Sequence, residues 1–155
     1  MRPVRPTSWL TLVAGALAAL TALAGLTAAD TMSRPAPSYQ IIVNPANHID
    51  SVDRTFLSNV YLKKVATWRN DWTVRPVQLS RRFPVREQFT REILKKSPSQ
   101  LRSYWNRQIF SGKAVPPPEL ESQEDVIRYV LANKGAIGYL AAGVNPRGAR
   151  IVKLK

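Results

Sequence analysis

The chain has 155 residues, with 23 Lys+Arg against 10 Asp+Glu, a formal net charge of +13, one histidine and no cysteine. One domain is the expectation at this length, and a 45% hydrophobic content belongs to a folded protein rather than a disordered tail. The absence of cysteine excludes a disulfide scaffold, a thiolate zinc site, a cysteine nucleophile and a dithiol redox motif, and the lone His48 excludes a multi-histidine metal centre.

Arg2 and Arg5 precede an uncharged stretch from Pro6 to Ala29, and the first acid is Asp30. A positive start, an apolar run from Trp9 to Leu26 and small residues after it have the form of an export signal, with cleavage expected after Ala24 or Ala29. The same stretch, at about 1.5 Å per residue, is also long enough for an uncleaved anchor across a hydrocarbon core of about 30 Å. In both cases the arginines hold the N-terminus in the cytoplasm, and the rest of the chain is expected in the periplasm or outside the cell. Residues 1–29 are therefore read as a signal peptide or signal anchor, residues 30–38 as a proline-marked linker and residues 39–155 as the folded domain. Membrane contact is expected only through residues 9–29, if they are uncleaved.

Within the domain, Tyr39–Val43 predicts a buried strand, stopped by Asn44-Pro45. A helix is expected from a Ser51 cap, with Val52, Phe56, Leu57 and Val60 on one face. Thr73–Leu79 predicts a second strand, placed at an edge by Pro76. Pro84 suits a first helical position, and Val85, Phe89, Ile93 and Leu94 form an apolar stripe behind it. Ser97-Pro98 opens a helix that Ser111-Gly112 stops. After the break at Pro116–Pro118, Ser122 caps a fourth helix, with Asp125 completing an approximate capping box and Gly135 ending it. Strands are expected over 136–140 and 151–154. Strands interleaved with helices predict a three-layer α/β domain with a mixed sheet.

Taken together, Ile41-Ile-Val-Asn-Pro45, Phe56-Leu-Ser-Asn-Val60 leading to Ala66-Thr-Trp68, Val74-Arg-Pro-Val77 and Pro84-Val-Arg-Glu-Gln-Phe89 carry a resemblance. Trp105 to Ile109-Phe-Ser-Gly112, the following Pro116-Pro117, and Gly135-Ala-Ile-Gly-Tyr139 continue it. In order and spacing these segments resemble the phosphate-type periplasmic substrate-binding proteins over about residues 39–142. The resemblance implies one lobe of a type II periplasmic binding protein fold, non-covalent capture of phosphate or another oxyanion, no catalysis and no cofactor. It also implies an ABC permease or another envelope protein as partner. The family's phosphate loop is of a Ser-Gly-Thr type at a helix start; the matching place here is Ser80-Arg-Arg-Phe-Pro-Val-Arg86, where Pro84 has no N–H to donate.

Ser80, Arg81, Arg82 and Arg86 are accordingly the candidate anion-binding residues, because arginine forks and a helix N-terminus both favour oxyanions. The alternative for them is a solvated basic loop paired with Glu87 and Glu92. Asn44, Asn47, His48 and Ser51 are secondary candidates, since ligands in open α/β sheets sit beyond the carboxyl ends of strands; the alternative for them is a turn with a helix cap. Asp50 and Asp53 at a helix start are explained by capping, and no carboxylate pair or Gly-x-Ser-x-Gly elbow suggests catalysis. Trp68, Trp72, Trp105, Tyr104 and Tyr139 are expected to serve packing. Nucleic acid is not an expected partner, because the cations are dispersed and the chain is read as exported. The rival to ligand binding is a ligand-free, single-lobe module that docks on an envelope or membrane protein.

Overall fold

The computed structural model describes residues 38–155, so the expectations for residues 1–29 and for most of the 30–38 linker lie outside the described residues. The chain runs β1 (Tyr39–Val43), β2 (Ser51–Val52), α1 (Arg54–Tyr61), β3 (Arg75–Pro76), β4 (Gln78–Leu79), α2 (Pro84–Glu92), α3 (Pro98–Phe110), β5 (Glu119–Leu120), α4 (Gln123–Ala132), β6 (Ala136–Ala141) and β7 (Arg150–Leu154). Five strands form one sheet in the order β2-β7-β1-β6-β3, and β4 pairs with β5 separately. Strand β1 lies antiparallel to both β6 and β7, whereas β2/β7 and β3/β6 are parallel, so the sheet is mixed.

Side chains alternate across a strand, so adjacent buried residues must face two covered surfaces. Ile41 and Ile42 on β1 are both buried, as are Ile137, Tyr139 and Leu140 on β6. A Cβ added at Gly138 would meet Val126 and Val130, which places α4 on that face. The neighbouring Tyr139 points the other way, stacking on Phe89 of α2 at 4.0 Å between ring centroids and lying 5.9 Å from Tyr61 of α1. The domain is thus α4, sheet, then α1 with α2: the expected three-layer mixed α/β architecture. Tyr39 extends the aromatic cluster on the second face, 5.6 Å from Phe89.

Local signals set the helix ends. Proline opens α2 and α3, and α3 carries a full capping box, with Gln100 N–H donating to Ser97 Oγ and Ser97 N–H to Gln100 Oε1. Gly112, at φ +65°, then takes the left-handed conformation that ends α3. Ser122 caps α4 by accepting from Asp125 N–H, while its hydroxyl donates to the Asp125 carboxylate at 2.6 Å.

Two expectations are corrected. Ser51 does not cap the first helix: Ser51 and Val52 form β2 against Lys153 and Leu154 of β7. Asp53 is the cap, its Oδ1 accepting from Thr55 and Phe56 N–H at 2.7 and 3.1 Å. These two bonds hold its carboxyl below the usual carboxylate range. The strand expected over 73–79 is divided between two sheets: β3 pairs with β6 and β4 with β5, with Val77 between them. Pro76 does lie on an edge strand.

Candidate functional site

The loop between β4 and α2 holds Ser80, Arg81 and Arg82, and the first turn of α2 holds Arg86. Strand β4 is pinned by β5, and Ser80 N–H extends that pairing to Leu120 O at 2.8 Å. The chain then turns tightly: Phe83 N–H donates to Ser80 O and Arg86 N–H to Phe83 O. Arg81 N–H donates to Glu119 Oε1 at 3.1 Å. With Pro84 lacking a donor, most backbone N–H groups of this turn are already engaged within the protein.

The three guanidinium groups diverge. Arg81 pairs with Glu119 at 3.9 Å and Arg82 with Glu121 at 3.4 Å, both at or beside β5, and both arginines are exposed. The Arg82 guanidinium also covers the Phe83 ring at 5.3 Å. The expected carboxylates are occupied elsewhere: Glu87 pairs with Arg91, and Glu92 accepts from Tyr39 and Gln88.

Arg86 points inward and is 7% exposed. Its Nη1 donates to Gln78 Oε1 and reaches Tyr139 Oη at 3.4 Å. Gln78, itself buried, is oriented by donating from Nε2 to Pro117 O at 2.9 Å. No carboxylate lies within ion-pair distance of Arg86 among the described residues. A cation taken out of water here rests on neutral acceptors, an arrangement that leaves the charge uncompensated. Burial pushes the Tyr139 phenol above its ordinary value, against the opposing pull of Arg86.

The secondary candidates separate in a different way. Asn44 is buried and fully used: its Nδ2 donates to Val130 O and Leu131 O at the end of α4, and its Oδ1 accepts from Ala46 N–H. Asn47, His48 and Ser51 line an open cleft of about 820 Å³ beyond the carboxyl end of β1. Phe56, Trp68 and Trp72 supply its apolar wall, and Arg69, Lys155 and the acidic Asp53 its charged groups. Asn47 is 1% exposed, and its Nδ2 has no hydrogen-bond partner among the described residues. Sequence reasoning named three of these polar residues but not Phe56, Arg69 or Lys155, which long-range packing brings to the cleft. Trp68 and Trp105 are buried and Trp72 half-buried, in keeping with packing roles. No group of His, Asp and Glu able to hold a metal ion occurs among the described residues.

The solved structures this chain resembles include phosphate transport receptors and phosphate-binding proteins. An ABC-type phosphate transport receptor from Vibrio cholerae matches at 17% identity and a TM-score of 0.57, over 76% of this chain and 46% of that one. PstS from Borrelia burgdorferi matches at 12% identity and a TM-score of 0.59, over 76% of this chain and 47% of that one. A substrate-binding protein from Clostridium perfringens holding bound phosphate matches at 18% identity and a TM-score of 0.58, over 76% and 44%. The chain thus has the fold of one lobe of these proteins and spans less than half their length. No family model and no curated protein sequence matches it.

Proposed function

We propose that the chain is an exported substrate-binding protein that captures phosphate or a related oxyanion non-covalently at the 80–86 loop, without enzymatic chemistry. What supports the reading is Arg86: a buried cation with no carboxylate partner among the described residues, at the start of α2. The structural neighbours with this fold are phosphate receptors. In this reading Arg86 supplies the uncompensated charge, Ser80 a hydroxyl, and Arg81 and Arg82 exchange Glu119 and Glu121 for the anion. Residues 1–29 direct export, and an ABC permease receives the ligand.

A second reading, the ligand-free module docking on an envelope protein, is favoured by one specific observation. Arg81 and Arg82 already have acidic partners, and most N–H groups of the turn are already bonded.

Thermal unfolding in phosphate, sulfate and chloride at matched ionic strength separates the two. A ligand at a hundredfold excess over its Kd stabilises by about 2.7 kcal/mol, enough to move the transition visibly. The ligand reading expects a rise specific to phosphate or sulfate that disappears in Arg86→Ala and weakens in Arg81→Ala/Arg82→Ala. Equal small rises in all three salts would reflect charge screening alone and leave the docking module as the reading.

A further inference from the structure

Between Ile93 and Pro118 the sequence contains no acidic residue, but it carries Lys95, Lys96, Arg102, Arg107 and Lys113. Helix α3 fills most of this stretch and buries only Leu101 and Trp105. At its end the chain exposes Ile109 by 50%, Phe110 by 91% and, past the turn at Gly112, Val115 by 65%. These are three of the five large hydrophobic side chains left exposed among the described residues, and they fall within seven residues of chain. Scattered exposed apolar residues need no explanation, but a clustered tip does. None of the five cations makes an ion pair among the described residues; Lys96 lies over the Tyr104 ring at 5.6 Å.

We propose that the tip at Ile109, Phe110 and Val115, with the unpaired cations Arg102, Arg107 and Lys113 that accompany it in the chain, is a docking surface for an anionic lipid bilayer. Apolar side chains flanked by lysine and arginine without acids match the two parts of such an interface, an acyl boundary and a negative headgroup layer. An acidic protein surface would satisfy the cations, but it would not call for a nearly fully exposed phenylalanine at the apex. The contact lies outside residues 9–29 and does not depend on the anion reading of the 80–86 loop.

The chain has no cysteine, so Phe110→Cys in the full chain accepts a single polarity-sensitive dye; Glu124→Cys on α4 is the control. With phosphatidylglycerol vesicles the dye at 110 should shift to an apolar environment while that at 124 stays aqueous. The shift should be absent with phosphatidylcholine and reversed by salt. In unlabelled protein, Phe110→Ser should weaken the part of vesicle binding that depends on anionic lipid by about tenfold, and Arg102→Gln/Arg107→Gln/Lys113→Gln should abolish it. An aqueous dye at position 110 on every vesicle would overturn the proposal, even if residues 9–29 hold the chain on the membrane. Such a result would leave a protein partner as the occupant of the tip.

Discussion

A phenol taken out of water keeps its proton, because the interior offers the phenolate no solvation. Burial raises Tyr61 well above the ordinary tyrosine value and raises Tyr139 too, where the nearby Arg86 opposes the rise without cancelling it. Tyr39 is raised as well, by burial first and then by its bond to Glu92. A group raised in the folded state contributes stability that is fully present below its unfolded pKa, about 10 for tyrosine, and is lost as pH rises through the folded value. Tyrosinate absorbance from these residues should therefore appear only together with the loss of circular dichroism, above about pH 10. A smooth titration ahead of unfolding would show that the cluster is open to water. Tyr61→Phe removes the donor to Val77 O at 2.8 Å, and should cost about 1–2 kcal/mol in denaturant unfolding by leaving that carbonyl unpaired. Arg86 shows what the sequence conceals at this scale. Its spacing from Arg81 and Arg82 is plain, but its direction is set by the α2 face that also buries Val85, Phe89 and Thr90.

Elements that announce themselves by period or cap were legible. Strand β1, the starts of α2 and α3 and the Ser122 cap all stand where proline, serine and apolar spacing put them. The two-residue strands β2 and β5 were not legible, because they have no period of their own. They exist through pairing with Lys153 and Leu154 in one case and Gln78 and Leu79 in the other. The cleft was half legible for the same reason: Asn47, His48 and Ser51 lie close together in sequence, whereas Lys155 arrives through the β2/β7 pairing. The start of β6 supplies a test of such long-range closure. Gly135 O accepts from Arg75 N–H at 2.9 Å and from Trp68 Nε1 at 3.0 Å, joining β6 to β3 and to the 66–73 loop. A Cβ at Gly135 would stand 1.9 Å from the backbone oxygen of Thr73, so the strand and the loop could not both keep their places. Gly135→Ala should destabilise by about 2–3 kcal/mol in denaturant unfolding, at the upper end of overpacking costs. A loss below about 0.5 kcal/mol, the level of an ordinary surface substitution, would mean the approach relaxes freely.

At the scale of the whole chain, one lobe changes the character of binding more than any single residue does. The part that matches is less than half of the neighbours' length, and in the proposed reading the 80–86 loop offers an anion donors from one side of the described lobe. An anion held at the 80–86 loop then keeps water on its outer side and gains no enclosure. Its charge-assisted bonds compete with hydration and with Glu119 and Glu121 for the same arginines. Affinity in the region of about 1 mM, near −4 kcal/mol, is the expectation for such a site. With a net charge of +13 on the chain, added salt should weaken binding further through screening. A phosphate titration followed by amide NMR should therefore show fast-exchange shifts confined to residues 79–86 and to Tyr139 beside Arg86. Shifts at Asn47, His48 and Ser51 instead would move the site to the cleft beyond β1. Slow exchange at low micromolar phosphate would require donors on the far side of the anion, and a second copy of the chain would then have to provide them. Sedimentation with and without phosphate would detect that copy directly.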